Sequence, residues 1–168
     1  MNVKEMIRGA RLPEDTVEVC LRADLVAEYD HAERELAAAK AAAGDSLAGP
    51  GDDVKALEGR LAGLREQMQA STLTLTLRAL SSPRYQALVD QHPPRADDDN
   101  VNRRDRVFGF NVDTFFDALA RKCTAAPELD DEDWAALFGE DGKLTDGQVE
   151  KVYSKAFALN KKDVDLPF

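Results

Sequence analysis

Two coiled-coil series of apolar residues, separated by a glycine- and proline-rich break, constrain this chain more than any other feature. Leu25, Tyr29, Ala32, Leu36, Ala39 and Ala43 follow one another at spacings of 4, 3, 4, 3 and 4. Val54, Leu57, Leu61, Leu64 and Met68 follow at 3, 4, 3 and 4. Each series is the seam of a coiled coil. Between them lies Gly44-Asp45-Ser46-Leu47-Ala48-Gly49-Pro50-Gly51, which no helix crosses readily. The pattern predicts an antiparallel helical hairpin with helices at about 24–43 and 52–69, each on the order of 25–30 Å long. Asp52 or Asp53 is placed to cap the second helix. The first seam turns to alanine toward the tip. Little surface is buried there, so the tip is expected to be the most mobile part of the hairpin.

Two alternating segments flank the hairpin. In Thr16-Val17-Glu18-Val19-Cys20-Leu21 one face is Val17, Val19 and Leu21; in Thr72-Leu73-Thr74-Leu75-Thr76-Leu77 it is Leu73, Leu75 and Leu77. Period-two alternation marks half-buried strands. A hairpin returns the chain to where it left, so the strands are predicted to pair antiparallel at its base. A two-stranded ribbon is marginal in water and must rest its apolar face on something.

The available support is the second half. Of the eleven aromatic residues only Tyr29 precedes Tyr85, and large rings fill thick cores. Four short helices are predicted there. One starts at Ser82-Pro83 and stops at His92-Pro93-Pro94, and a polar loop follows over 95–106. The next starts at Asn111 or Asp113 and carries Phe115, Phe116, Leu119 and Cys123. The third follows the acidic turn at Asp130 and carries Trp134, Leu137 and Phe138. The last follows the capping box Thr145-x-x-Gln148. The end of the chain, 160–168, reads as irregular. The expected fold is mainly α: a helical hairpin inserted between two short antiparallel strands and packed on a small C-terminal bundle. The expected domains are 1–80, a β-ribbon with a protruding hairpin, and 81–168, the helical domain.

Residue chemistry points away from catalysis. The 168 residues carry a net charge of −10, which repels phosphate backbones and argues against nucleic-acid binding. No apolar run approaches the roughly 20 residues of a membrane helix, and there is no secretory leader, so a cytoplasmic protein is expected. Asp141-Gly142 suggests a calcium loop, but it would put Leu137 and Gln148 where carboxylates are required. Cys20, Cys123, His31 and His92 are scattered, which is poor material for a metal site. His92 reads as a loop-fixing residue and Cys123 as a small buried hydrophobe. No nucleophile elbow, Walker A or dinucleotide fingerprint occurs. The expectation is no enzyme, no cofactor and no metal. The cluster Phe108, Phe110, Phe115 and Phe116 can be core or groove, and with Leu73, Leu75 and Leu77 it is the candidate apolar strip for a partner helix. Leu57, Leu61 and Leu64 are the candidate contacts for self-association into a homo-oligomer.

The stretch Leu12-Pro13-Glu14-Asp15-Thr16-Val17-Glu18-Val19-Cys20-Leu21-Arg22-Ala23-Asp24-Leu25-Val26-Ala27-Glu28 resembles the start of tail assembly chaperones of siphophages infecting actinobacteria. The later words resemble them more closely: Tyr85-Gln86-Ala87-Leu88, His92-Pro93-Pro94-Arg95, Phe110-Asn111-Val112-Asp113-Thr114-Phe115, Cys123, Pro127, Trp134-Ala135-Ala136-Leu137, Leu144-Thr145-Asp146-Gly147-Gln148 and Ala156-Phe157-Ala158-Leu159-Asn160. Their order covers most of the chain except the hairpin tip.

The resemblance implies a non-enzymatic factor acting in the host bacterial cytoplasm. It would bind and solubilise the long helical tape measure protein while the tail tube protein, a second candidate partner, polymerises around it. It would be absent from the mature virion. A longer form made by ribosomal frameshifting is often found in that family, and this chain would correspond to the shorter form. The alternatives are a structural head–tail or tail completion protein, which would stay in the particle, and a coiled-coil adaptor binding through residues 24–69. A tail tube gene upstream and a very long helical gene downstream would favour the chaperone.

Overall fold

The computed structural model describes residues 2–44, 49, 51–96, 103–163 and 167. The expected mobile tip (45–48 and 50), the acidic part of the polar loop (97–100) and the tail residues 164–166 and Phe168 lie outside them. The elements are α1 (Val3–Gly9), β1 (Glu14–Cys20), α2 (Asp24–Ala43), α3 (Asp52–Ala70), β2 (Thr72–Arg78), α4 (Ser82–Gln91), α5 (Arg103–Phe108), α6 (Val112–Cys123), β3 (Thr124–Ala126), α7 (Asp131–Phe138) and α8 (Asp146–Lys161). The fold is mainly helical, with the α2–α3 hairpin between β1 and β2. The chain forms two compact units, one of Glu18–Leu73 and one of Met1–Val17 with Thr74–Phe168. The hairpin unit is therefore an insertion, and the division differs from the expected one at residue 80.

Within the hairpin unit, Leu25, Ala32, Leu61 and Leu64 form one buried cluster, and Tyr29, Leu36 and Met68 pack against it. Ala32 is fully buried, so its small side chain sets how closely the helices approach. Ion pairs record the antiparallel register: Lys40 with Glu58 at 3.1 Å, and Arg60 with Glu28 and Glu35 at 3.2 and 3.3 Å. Arg65 donates to the Tyr29 hydroxyl at 2.6 Å. Each pair is solvent-exposed and worth at most about 1 kcal/mol, so the apolar seam carries the stability. Asp52 and Asp53 lie in the first turn of α3, and the N-cap is Gly51 without a side-chain cap bond, contrary to the expected aspartate cap.

The seam also corrects the expected self-association surface. Leu61 and Leu64 are buried between α2 and α3, and Leu57 is half-buried. A seam satisfied within one chain has little apolar surface left to offer a second copy.

The sheet has the order β1-β2-β3 and is antiparallel. The Leu21 N–H donates to the Ser71 carbonyl at 2.8 Å, and the Ala79 N–H donates to the Pro13 carbonyl at 2.9 Å. These bonds bracket the β1–β2 pairing at both ends. The third strand was not anticipated. β3 is three residues long, too short to show alternation, and forms only because β2 offers it an edge: Thr76 faces Ala126 and Leu77 faces Thr124, with a bulge between.

In the larger unit α6 is the organising helix. Phe115, Leu119 and Cys123, at i, i+4 and i+8, are buried, as are Val112 and Ala120. Helix α8 buries Val152 and Ala156. Asn160 completes the packing: its Oδ1 accepts from the Leu80 N–H at 2.8 Å, and its Nδ2 donates to Cys123 Sγ at 3.3 Å. Burial pushes the Cys123 thiol up from its ordinary value, and the bond from Asn160 opposes that shift. Three caps follow from local chemistry. Asn111 accepts from the Asp113 N–H, and Asp130–Asp133 and Thr145–Gln148 form capping boxes. Helix α4 starts one residue earlier than expected, with Ser81 as N-cap and Pro83 inside the first turn. Two short helices, α1 and α5, went unrecognised; α5 occupies part of the expected polar loop.

Candidate functional site

The turn from α4 into α6 is held by one buried carboxylate. Asp105, on α5, is fully buried. It accepts from the Arg95 N–H at 3.0 Å, from Arg95 Nε and Nη2 at 2.8 Å each, and from the Val112 N–H at 3.2 Å. The guanidinium of Arg95 also pairs with Asp113. These bonds pin the segment after His92-Pro93-Pro94 to the start of α6, and the Asn111 N–H donates to the His92 carbonyl at 2.9 Å. His92 itself shares a 2.8 Å hydrogen bond between Nδ1 and Thr114 Oγ1 and lies edge-on to Phe115. It is a loop-fixing residue, as its lone position suggests.

The hydrogen bond from Arg95 holds the Asp105 carboxyl well below the usual carboxylate range. Burial opposes this, and the backbone donors of Arg95 and Val112 add to it. A carboxyl depressed in the folded state contributes stability that is complete above its unfolded value of about 3.9 and is lost as pH falls through the folded value. Wild type should therefore exceed Asp105→Asn in urea midpoint most at neutral pH. The gap should close steadily below about pH 4, as the unfolded wild-type chain takes up a proton that the folded carboxyl does not yet accept. Urea titrations of both proteins between neutrality and strong acid check this, and a gap independent of pH would contradict it.

Gly109, at φ 81°, makes the turn that separates two phenylalanines. Phe110 turns inward and is stacked on Phe115 at 3.8 Å between ring centres. Phe108 stays at the surface, 42% exposed, with Val107 beside it at 77%. Around Phe108 stand the rings of Phe110, Phe116 and Phe157 at 5.6, 5.7 and 6.1 Å. Tyr153 stacks on Phe116 and on Phe138, and Phe138 stacks on Trp134 at 4.3 Å. Asp117 ties α6, α7 and α8 together, its Oδ1 accepting from Trp134 Nε1 at 3.0 Å and from the Tyr153 hydroxyl at 2.9 Å. Burial first, then the Asp117 charge and hydrogen bond, push the Tyr153 phenol above its ordinary value, so it remains a neutral donor.

Of these rings, Phe108, Phe116, Tyr153 and Phe157 line an open groove of about 680 Å³ along α5, α6 and α8. Its apolar walls are Phe108, Val112, Phe116, Val149, Tyr153 and Phe157, and its charged lining residues are Arg104, Asp113, Asp146 and Glu150. The lining offers aromatic faces and separated charges without a cysteine or histidine. That composition suits contact with an amphipathic helix.

Of the residues read from sequence as a partner strip, the structure leaves Phe108 exposed and Phe116 and Leu73 half-buried. Leu75, Leu77, Phe110 and Phe115 are buried in the chain's own core and form no surface strip. The reason is that the apolar face of β2 is covered by the same chain that needs it as support. Sequence reasoning missed Val149, Tyr153 and Phe157. Their i, i+4, i+8 spacing on α8, beside the buried Val152 and Ala156, makes the apolar arc of that helix wider than one core face requires. That width was the available signal.

Among the described residues no group of three or more His, Cys, Asp or Glu is placed to hold a metal ion. No helix among them is long and apolar enough to cross a membrane. Compared with protein-family models, with curated proteins and with solved structures, the chain matches none.

Proposed function

We propose that this chain is a non-enzymatic tail assembly chaperone that keeps a phage tape measure protein soluble, taking amphipathic helical segments of that client into the α5–α6–α8 groove. The reading rests on the exposed aromatic lining of the groove around Phe108. A long client helix with a bare apolar face is costly in water, and an aromatic groove covers it by helix-in-groove packing. Several copies along one client add avidity.

The words that carry the sequence resemblance support the same reading. His92-Pro93-Pro94-Arg95 and Phe110-Asn111-Val112-Asp113-Thr114-Phe115 build the Arg95–Asp105 clamp and the start of α6. Leu144-Thr145-Asp146-Gly147-Gln148 caps α8. Both sets frame the groove. The adaptor reading through residues 24–69 loses support because the hairpin seam is filled by its own two helices.

The test is co-expression with a tape measure protein. Phe108→Asp places a charge on an exposed ring position, so the fold survives while a central aromatic contact is lost. Client recovered with the variant should fall at least about tenfold, as for a binding hot spot. Undiminished recovery with a folded Phe108→Asp protein would remove the groove as the client site.

A further inference from the structure

Helix α1 is folded but buries none of its residues. Val3, Met6 and Ile7 share one face at i, i+3 and i+4, and they are 66%, 57% and 69% exposed. Asn2 and Glu5 form a capping box at its start. A helix of seven residues does not persist alone in water, because nucleation costs more than so few hydrogen bonds return. Its stability has to come from a surface that covers the apolar face.

The same unit offers such a surface. Phe108 and Val107 are exposed beside the α5–α6–α8 groove. The charges match as well. Lys4 and Arg8 flank the apolar face of α1, while the groove presents the carboxylates of Asp113, Asp146 and Glu150 against the one guanidinium of Arg104. Among the described residues neither Asp146 nor Glu150 has an ion-pair partner. In the structure α1 is not seated in its own chain's groove, since its apolar side chains are bare.

We infer that α1 of one copy docks in the α5–α6–α8 groove of a second copy, with Val3, Met6 and Ile7 against Phe108 and its neighbouring rings and Lys4 and Arg8 facing Asp146 and Glu150. The contact is heterologous: each copy has one α1 to give and one groove to receive it, so copies add head to tail. This depends on the groove reading above only in that a client helix would displace α1 from the same place. Self-association then covers the aromatic surface while no client is present. A contact made through one two-turn helix is expected to be weak, with a dissociation constant on the order of 10–100 μM.

Sedimentation velocity on the full chain tests this. The wild-type sedimentation coefficient should rise with concentration across roughly 10–300 μM, the range set by that affinity. Ile7→Asp, which spoils α1, and Phe108→Asp, which spoils the groove, should each sediment as single chains throughout. Mixed in equal amounts they should recover a one-to-one dimer and nothing larger, because the mixture holds one intact helix type and one intact groove type. Glu150→Lys replaces Phe108→Asp if circular dichroism shows that variant unfolded. A wild type that remains a single chain, an Ile7→Asp protein that still associates, or a mixture of folded variants that does not pair would each overturn the inference. Client co-purification separates the two readings: Ile7→Asp keeps its client when α1 docking fails, and only groove variants lose it.

Discussion

Phe115→Ala should lower the midpoint of thermal unfolding by about 10 °C, from a loss of roughly 3–5 kcal/mol at about 2–4 °C per kcal/mol for a chain of this size. Phe115 is fully buried and touches four rings: the Phe110 stack and the edges of Tyr85, His92 and Phe116. Removing it leaves a cavity among those rings, and the cost rises with the volume that the neighbours fail to fill. Calorimetry of wild type and variant measures the shift. A fall of less than about 2 °C would show that Phe115 is not the keystone of the aromatic cluster.

Leu61→Lys should unfold the hairpin unit and leave the other unit folded. Leu61 sits in the seam beside Leu25, Ala32 and Leu64. An ammonium group there loses its hydration without gaining a partner, at more than about 3 kcal/mol. The loss falls on one compact unit whose stability comes mainly from that seam. Far-ultraviolet circular dichroism should lose the share of signal carried by helices of 20 and 19 residues. The fluorescence of Trp134, buried in the other unit, should keep its native maximum. A variant that retains full helicity but associates less would restore Leu61 as a contact between copies.

The hairpin was legible because its signal is local and repeated. Eleven positions at alternating spacings of 3 and 4, broken once by glycine and proline, admit few other folds. The capping box at Thr145 was legible for the same reason, since a side chain bonds its own next turn, whereas Asn111 was one of two candidate helix starts and Asp130 read as part of an acidic first turn. β3 was illegible because its partner, β2, lies far from it in the chain, and three residues carry no period. The groove was half legible: the phenylalanines were visible, but not which of them face water.

By itself the sequence determined the helical hairpin, the two alternating strands and the aromatic-rich second half, because each follows from the spacing of neighbouring side chains on one element. Only the tertiary structure decided that Leu75 and Phe115 lie inside while Phe108 lies outside, and that Leu61 serves its own hairpin. Periodicity says that a face is apolar. What covers that face depends on which distant segment reaches it first, and that is a property of the assembled chain.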